Sequence, residues 1–578
     1  MPLKLRRRDL TRQQRRWQER QRTYGMCHAI CHLAECNEIR LLAKKLRTAG
    51  RVKKILRILE NACQTEYRVP MRARRKTRNV EIPKGGNGTR LRLATCVHRG
   101  AQAKLSCKLR PTVLPVHTRS FISMRSFICL AFLSVAGLVP VDSRADEVPF
   151  KIAVFEADVT PPIGSPLCYT LVPPAKEIVD RLKARGLVLL SGGKPIVLCA
   201  FDWVGIGNGG YDTFREVLAE AAGTTRERVA VHCLHQHDAP SCDFAADELL
   251  VPYGLGNKLF DTAFARTAIA RIAAAIKKSL QDPQTVSHVG YGKGLVKEVA
   301  SNRRVLGPDG NVKAIRWSAT KDEQVRAEPE GIIDPFVHLV SFWNGDKPLA
   351  SLTYYATHPQ SYYAQGGVSC DFPGLARGIR DRELPGVFHV HFDGAGGNVT
   401  AGKYNDGSPE NRPILAQRLA AGMKTAFDTT KKYPIKASQV GWKVQPAALP
   451  AANHLDIDQL KKTIADEKAD MRSRLQGAGA LTWALRCAAG DKIDITCLSL
   501  GPVAVLHMPG ELFVEYQLAA QKMRPDSPVV MAAYGDYGPG YIGLAHSYRQ
   551  GGYETGPVSR VAPEVEGALM SAMRELLK

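Results

Sequence analysis

The sequence after residue 145 lacks long apolar runs, internal repeats and low-complexity linkers. By its pattern no segment of 146–578 is a transmembrane helix. Seven cysteines in this region are too few for a disulfide-dense scaffold, and an odd number leaves at least one free thiol. Cys487 and Cys497 flank a short polar turn and are the one pair expected to be able to bridge. The 578-residue chain is 44% hydrophobic and 23% charged, which excludes collagenous, coiled-coil and wholly disordered classes.

Acidic residues are scarce in the first 123 positions, which hold 7 Asp and Glu against 31 Lys and Arg. Nearly all of the net charge of +25 therefore lies there, and the rest of the chain is close to neutral. We expect 1–123 to be a basic, disordered or mis-assigned extension. The rival interpretation is a basic arm that binds nucleic acid or an anionic surface. Its cysteines and histidines at 27–36 resemble a zinc knuckle but lack a second ligand pair at finger spacing.

Residues 124–145 have the layout of a secretory signal peptide. Met124 and Arg125 provide a positive start, 127–139 is uncharged and apolar, and small residues precede Asp146. The alternative is a buried helix or strand. The pattern predicts that translation starts at Met124, that cleavage follows Ala145, and that the mature chain is exported to the periplasm or the medium.

Short β-branched runs alternate with amphipathic runs in 146–578, which predicts one α/β domain of mixed α+β type, with central sheets flanked by helices. Strands are expected at 151–156, 194–201, 228–234, 337–343, 348–357, 387–392, 493–499 and 502–507. Helices are expected at 211–222, 259–279, 412–427, 455–475, 511–523 and 560–577. The best candidate for a break is 429–452, where polar and Pro/Ala-rich sequence follows a helix.

Histidines stand at the ends of two predicted strands. His235 and His237 are two residues apart, so their imidazoles fall on one side, as a metal site or a metal-plus-base pair requires. The same spacing also occurs in surface histidines. His358 precedes a proline that stops its strand, and a lone histidine there is also typical of a hydrogen-bonded structural residue. The following stretch, 366–374, reads as a small-residue loop.

Three further segments are candidates for a site. The glycine-rich run 393–402 offers backbone N–H groups to an anion, or it is a tight turn with no ligand; it is not a phosphate-binding P-loop. The Pro-Gly-Glu run at 509–511 ordinarily indicates a helix start with an acidic first turn. The stretch 534–554 is rich in Tyr and Gly and is suited to line a pocket with phenols.

Taken together, these segments resemble the neutral/alkaline ceramidase family, whose members are zinc amidases that cleave the N-acyl bond of ceramide. The resemblance covers roughly 150–578 with six motifs in order. They are 157–164, the histidine pair, Ser301-Asn302-Arg303, Thr357-His358-Pro359 with 371–374, 509–511, and a tyrosine pair twelve residues apart. The family commonly adds an Ig-like C-terminal domain. For this sequence, which ends at Lys578, the catalytic region alone is expected.

The resemblance implies a Zn²⁺ ion, residues that bind it and residues that act on the substrate. It implies that zinc is held by His235, His358, Glu511 and Tyr541, a ligand set that suits this ion. It implies that the substrate-side residues are His237, which shuttles a proton, and Arg303 and Tyr553, which steady the developing oxyanion.

Two local departures affect the expected chemistry. Thr400 stands where the family has a serine nucleophile, and Asn398 replaces an aspartate, so we favour a zinc-activated water over Thr400 as the nucleophile. Asp238 follows the histidine pair where a small polar residue is usual, and an extra carboxylate beside the metal would favour a polar substrate over a lipid.

The leading hypothesis is an exported zinc-dependent amide hydrolase acting on a small-molecule or lipid N-acyl substrate. An esterase or deacetylase acting on a polar acyl substrate through the same site is the second hypothesis. The third is a non-catalytic metal-containing binding protein. For the mature domain we expect neither nucleic acid as a partner nor a transmembrane helix, and the sequence does not specify an oligomeric state.

Overall fold

The computed structural model describes residues 148–578, and the fold is mixed α+β. Its first twelve strands are β1 (Lys151–Asp158), β2 (Glu177–Ile178), β3 (Lys183–Leu190), β4 (Ile196–Phe201), β5 (Gly205–Ile206), β6 (Val229–Cys233), β7 (Ser241–Cys242), β8 (Gln284–Thr285), β9 (His288–Leu295), β10 (Ser301–Asn302), β11 (Arg304–Leu306) and β12 (Val312–Ile315). The others are β13 (Phe336–Asn344), β14 (Lys347–Tyr355), β15 (Gly367–Val368), β16 (Phe388–Asp393), β17 (Val399–Thr400), β18 (Lys431–Pro434), β19 (Val440–Ala447), β20 (Ile493–Leu500), β21 (Val503–His507), β22 (Glu511–Leu512), β23 (Val529–Ala532) and β24 (Tyr541–Ile542). The helices are α1 (Asn208–Ala222), α2 (Phe244–Leu250), α3 (Thr262–Ser279), α4 (Glu323–Ala327), α5 (Asp371–Glu383), α6 (Asn411–Asp428), α7 (Ile457–Ala465), α8 (Met471–Ala489), α9 (Val514–Met523), α10 (Ala545–Arg549) and α11 (Val565–Leu577).

Three sheets repeat one topology along the chain. Their strand orders are β6-β4-β3-β1-β8, β16-β14-β13-β9-β18 and β23-β21-β20-β19. In each, three antiparallel strands are followed by a helix (α1, α5 or α9) and a last strand that pairs in parallel with the third. A second helix (α3, α6 or α11) then packs back on the unit's first strand. The three units span 151–279, 288–428 and 440–577, although the sequence shows no internal repeat.

Hydrophobic alternation explains how the three sheets associate. One buried cluster draws residues from all three sheets, among them Leu187, Val340 and Val505. The opposite face of each sheet is covered by the helices of its own unit. The described residues consequently form one compact unit, and segment 429–452, the expected break, connects the second and third repeats within it.

The parallel pairs decide where a site can form. Parallel neighbours end at the same edge of a sheet, so the loops after β4 and β6, after β14 and β16, and after β21 and β23 emerge together in each unit. The last strands of the three units lie near one another, and Ala533 N–H donates to Asp393 O at 2.9 Å between the third and second units. Every histidine, carboxylate and tyrosine of the expected ligand set follows one of these strands.

All eight predicted strands are present, and five of the six predicted helices match single helices. The expected helix at 455–475 is instead two helices, α7 and α8. The chain breaks between them because Asp470 caps α8 by accepting a hydrogen bond from Ser473 N–H at 3.0 Å. The loop expected at 366–374 is wrong in its second half, because α5 begins at Asp371.

Two further expectations concern a disulfide bridge and membrane-spanning helices. Cys487 lies in α8 and Cys497 in β20, and both are free thiols, so the bridge considered between them is not formed. Within 148–578 no helix combines the length and apolarity needed to cross a bilayer. The basic extension, its cysteine and histidine cluster at 27–36, the start at Met124 and the signal peptide at 124–145 lie outside the described residues.

Candidate active site at the ends of three parallel strand pairs

His235 and Tyr534 follow the last strands of the first and third units in matching conformations. Both have a positive φ, 64° and 58°, which is uncommon for residues other than glycine. Their rings stack with centroids 4.7 Å apart and planes inclined by 22°. Backbone strain of this kind persists only where the surrounding structure enforces it, and it concentrates at functional sites.

The protonation of His235 follows from its surroundings. Its Nδ1 lies 2.6 Å from Val204 O, and because a carbonyl only accepts, Nδ1 carries the proton and Nε2 presents a lone pair. Nε2 lies 3.2 Å from Glu511 Oε2, and neither atom has a hydrogen-bond partner among the described residues. Two buried acceptors at this distance repel each other unless a cation or a proton lies between them.

His237 and His358 complete a cluster with His235. One ring nitrogen from each of the three lies within 4.8 Å of the others. His358 Nδ1 is also 3.7 Å from Glu511 Oε2, while its Nε2, like His237 Nδ1, is buried without a partner in the described part of the chain. Burial, and then the neighbouring imidazoles and Arg303, hold the pKa values of His237 and His358 well below the usual range. Neutral imidazoles are the form that binds a metal.

Glu511 and Tyr541 are brought together by backbone pairing, because they face each other in register across the parallel strands β22 and β24. Tyr537 O–H donates to Glu511 Oε1 at 2.7 Å, which leaves Oε2 directed at the histidines. Burial raises the pKa of Glu511, but a proton held between His235 Nε2 and Glu511 Oε2, together with the hydroxyls of Tyr537 and Tyr541, outweighs that effect and lowers the pKa. Burial raises the pKa of Tyr541 well above that of a free phenol.

Arg303 is buried beside Tyr541 and donates from Nη1 to its hydroxyl at 2.9 Å. The guanidinium carbon lies 5.5–5.7 Å from the ring centres of Trp317, Tyr541 and Tyr553. Tyr553 is 38% exposed at the edge of the site, and burial raises its pKa to about 12. Arg303 and Tyr553 are therefore near enough to Tyr541 to act on one bound group.

The glycine-rich run after β16 positions the site rather than offering N–H groups to a ligand. Gly397 N–H donates to Leu512 O at 2.8 Å, and Val399 N–H to Gly396 O at 3.1 Å. A Cβ at Gly396 would lie 2.8 Å from the Thr357 backbone, and one at Gly397 would lie 2.2 Å from Glu511 O. Glycine is needed here because the run passes between the backbones that carry His358 and Glu511.

Thr400 lies in this run, and its backbone bridges to His358. Its buried hydroxyl accepts a hydrogen bond from Gly402 N–H at 2.9 Å and does not line the cavity described below. Asn398 Oδ1 accepts from Val514 N–H at 2.9 Å at the start of α9, so the residue fastens a helix. The hydrogen bonds of Thr400 and Asn398 do not direct either side chain at the histidine cluster.

Asp238 has a different role from the one expected of a carboxylate beside the metal. Its Oδ2 accepts from Ala364 N–H at 2.9 Å and its Oδ1 from Gly366 N–H at 3.0 Å. Burial raises its pKa to about 6. Because both oxygens hold the 364–366 loop, Asp238 gives no ground for expecting a polar substrate.

A cavity of about 390 Å³ opens onto the site. His235, His237, Glu511, Tyr541 and Tyr553 line one end. Its walls continue between α8 and the loop before α1, where leucines alternate with a few polar groups. Sizes of this order are typical of small-molecule sites.

Sequence reasoning missed four contributors to the site: Val204, Tyr534, Tyr537 and Glu554. The two tyrosines fall in the Tyr- and Gly-rich stretch that was expected to line a pocket, so composition pointed to them without a role. Glu554 Oε1 lies 3.3 Å from Arg303 Nε, a contact that no local pattern predicts. Val204 acts through its carbonyl, which carries no sequence signal.

The residues present fit a metal ion. His235 Nε2, His358 Nε2 and Glu511 Oε2 are buried polar atoms that lack hydrogen-bond partners within the described region, and they come from three different units. Imidazole nitrogens with one carboxylate form the donor set of catalytic zinc sites, and several other divalent metals accept it too. A metal site is therefore supported, and its ion is not identified by these groups.

No protein-family model and no curated protein matches the chain. The solved structures that match it include a ceramidase complexed with C2 and the neutral ceramidase from Pseudomonas aeruginosa. Each is 16% identical to this chain with a TM-score of 0.54. The first match covers 74% of this chain and 75% of the other, and the second covers 75% and 74%. At this identity the likeness concerns the fold, and the chain resembles the bacterial neutral ceramidases in its mixed α+β architecture.

Proposed function

We propose that the protein is a zinc-dependent hydrolase that cleaves the amide bond of ceramide-like N-acyl substrates. The observation that carries the proposal is the pair of unpartnered buried acceptors, His235 Nε2 and Glu511 Oε2, 3.2 Å apart at the end of a cavity. The shared fold with neutral ceramidases supports the reaction class.

His235, His358, Glu511 and Tyr541 are the proposed ligands. When bound, zinc polarises a carbonyl and lowers the pKa of water to about 7. The Val204 carbonyl fixes the tautomer of His235. Tyr537 fixes one carboxylate oxygen of Glu511 and leaves the other for the ion. His237 belongs to the same three-histidine cluster and is the alternative to Tyr541 as a ligand.

The substrate-side residues are His237, Arg303 and Tyr553. His237 lines the cavity as a neutral imidazole, so it can accept a proton from the attacking group and return it to the leaving amine. Arg303 remains cationic, since its interaction with Tyr541 and the charge of Glu554 outweigh the effect of burial and raise its pKa. It steadies negative charge on the carbonyl oxygen together with the Tyr553 hydroxyl.

Water is the proposed nucleophile, and Thr400 is the alternative. The hydroxyl of Thr400 is engaged by Gly402 N–H and lies off the cavity lining, which supports water. A Thr400→Val variant would separate the two, because it keeps the β-branched shape. We expect Thr400→Val to retain activity.

We also propose that the mature protein is exported after cleavage near Ala145 and that its partner is a small-molecule or lipid N-acyl compound. The first described strand begins at Lys151, which leaves the folded part intact after that cleavage.

The test is to measure metal content and turnover in His235→Ala. We expect zinc to fall to a small fraction and turnover to fall by more than the roughly 10–100-fold that loss of an outer-shell partner costs. His288→Ala, a histidine in β9 that bonds Ser287 away from the cavity, is the matched control.

Full zinc and full activity in His235→Ala would overturn the ligand assignment. Substrates should include N-acyl sphingoid, N-acyl sugar and simple ester compounds. Turnover of esters or acyl sugars alone would favour the esterase or deacetylase hypothesis. A zinc-loaded protein that cleaves none of them would favour the binding-protein hypothesis.

A further inference from the structure

One part of the cavity, distant from the histidines, carries polar side chains that the proposed hydrolysis does not use. Tyr169, Gln476 and Arg560 line it. An aromatic wall leads there from the site: the ring centre of Tyr537 is 5.4 Å from that of His235 and 5.5 Å from that of Tyr169. We call this region the distal subsite. The rings of Tyr537 and Tyr169 lie in sequence between it and His235.

Arg560 enters the distal subsite and forms no direct ion pair there. Among residues 148–578 no carboxylate oxygen lies within 4.0 Å of its side-chain nitrogens. Its Nη1 donates to Gly538 O at 3.2 Å, and its backbone is fixed by Pro539, Ala452 and the Trp483 indole. A guanidinium has five N–H groups, so most of its donor capacity remains for the cavity.

Two more donors in the distal subsite lack acceptors. The Tyr169 hydroxyl and Gln476 Nε2 are buried, and neither has a hydrogen-bond partner in the part of the chain that the structure describes. Gln476 lies one helical turn before Gly479 on α8, and a Cβ at Gly479 would lie 3.5 Å from Arg560 Nη2. Gln476 and Arg560 therefore share one side of the cavity.

Asp243 also lines this cavity and is close enough to Arg560 for the guanidinium to lower its pKa, but burial dominates and raises that pKa to about 7. Asp243 accepts from Asn208 Nδ2 at 2.7 Å and from Ala246 N–H at 3.0 Å, as the N-cap of α2. A Cβ at Gly479 would lie 3.8 Å from its Oδ2. Asp243 therefore balances Arg560 only in part, and the remaining guanidinium N–H groups and the two neutral donors of the distal subsite require an acceptor.

We infer that the distal subsite binds a carboxylate of the substrate. The amide cleaved at the histidines then carries an anionic group, separated from the amide by the span from His235 over Tyr537 to Tyr169. This rests on the proposed function and narrows its substrate class from neutral lipids to carboxylate-bearing amides. The cavity of about 390 Å³ holds roughly a dozen non-hydrogen atoms at about 30 Å³ each, enough for an amide, a short spacer and a carboxylate. Charge-assisted hydrogen bonds to a desolvated carboxylate strengthen binding by about 10- to 100-fold.

The test compares two ligands of equal length, suberic acid monoamide and octanamide, by isothermal titration calorimetry with the zinc-loaded protein. We expect the monoamide to bind at least about 10-fold more tightly. Arg560→Gln should remove that preference and leave the affinity for octanamide unchanged. Arg418 lies on α6 and pairs with Glu298, and Arg418→Gln, which removes the same charge, should retain the preference.

Gln476→Leu, which deletes an unpartnered donor at nearly constant volume, provides a second variant if Arg560→Gln does not fold. It should reduce the preference for the monoamide. Equal affinities in the wild type, or an unchanged preference in a folded Arg560→Gln or Gln476→Leu protein, would overturn the inference. Because binding is measured without turnover, a protein that prefers the carboxylate but cleaves no amide would refute the hydrolase proposal alone.

Discussion

At the scale of single residues, Glu554 holds the cationic side of the candidate active site. It is fully buried, and its two oxygens lie 3.3 Å from Arg303 Nε and 3.3 Å from Arg304 Nη1. Two adjacent guanidinium groups buried in one place repel each other unless a carboxylate lies between them. Glu554 offsets one of the two positive charges and so reduces the repulsion between the arginines, which lets Arg303 remain beside Tyr541.

Glu554→Gln should lower the free energy of unfolding by about 3–5 kcal/mol, since it removes one partner of a buried ion pair and leaves the arginines uncompensated. Chemical denaturation at neutral pH measures the change. Glu323→Gln, whose carboxylate is 89% exposed on α4, should change stability by less than about 0.5 kcal/mol. A Glu554→Gln protein as stable as the wild type would show that the arginines are solvated rather than paired.

At the scale of secondary structure elements, the turn after β16 fixes the separation of His358 and Glu511. Its glycines have no side chain because the neighbouring backbones leave no space for one. The turn thus brings the second and third units close enough for His358 and Glu511 to meet.

Gly397→Ala should destabilise the fold and weaken metal binding, because its Cβ would lie 2.2 Å from Glu511 O and one of the two backbones must move. The readouts are thermal unfolding and zinc stoichiometry. Gly378→Ala is the matched control within α5, where a Cβ would meet only Arg382 Nη1 at 3.6 Å. There we expect a gain of up to about 1 kcal/mol from helix propensity. Full zinc content and unchanged stability in Gly397→Ala would contradict the proposed role of the turn.

At the scale of the whole molecule, the candidate site exists because three units share one core. His235 comes from the first unit, His358 from the second and Glu511 from the third. None of the units holds more than part of the expected ligand set, so the site forms only when all three sheets pack together.

If the chain is exported as proposed, the mature protein should begin at Asp146. A chain of residues 146–578 should then unfold at the same temperature as the full-length chain and have the same zinc content. The reason is that β1, the first strand of the described core, begins at Lys151, after the proposed cleavage site. N-terminal sequencing of secreted protein and calorimetry of the two chains provide the measurements. A native protein that keeps 1–123, or a shorter chain that unfolds at lower temperature, would support a functional basic arm instead.

Much of the fold could be predicted locally. Runs such as 194–201 and 502–507 are apolar and β-branched, and the strands β4 and β21 lie within them. Short strands such as β22 and β24 were not predicted, because a strand of two residues is too short to show an alternating hydrophobic pattern. Glu511, expected to mark a helix start, lies in β22, and the resemblance indicated its place in the site before any local pattern did.

The sequence by itself determined the strand ends, the residue types that follow them and the balance of charge, because these depend on neighbours only a few positions apart. Tertiary structure decided that His235, His358 and Glu511 meet, that Asp238 holds a loop, and that the three sheets repeat one topology without a repeat in the residues. The physical reason is that hydrophobic packing requires only apolar side chains of suitable size at the inner positions of each sheet. Many unrelated sequences satisfy that requirement, so the convergence of distant strand ends follows from the shared core and not from any local pattern.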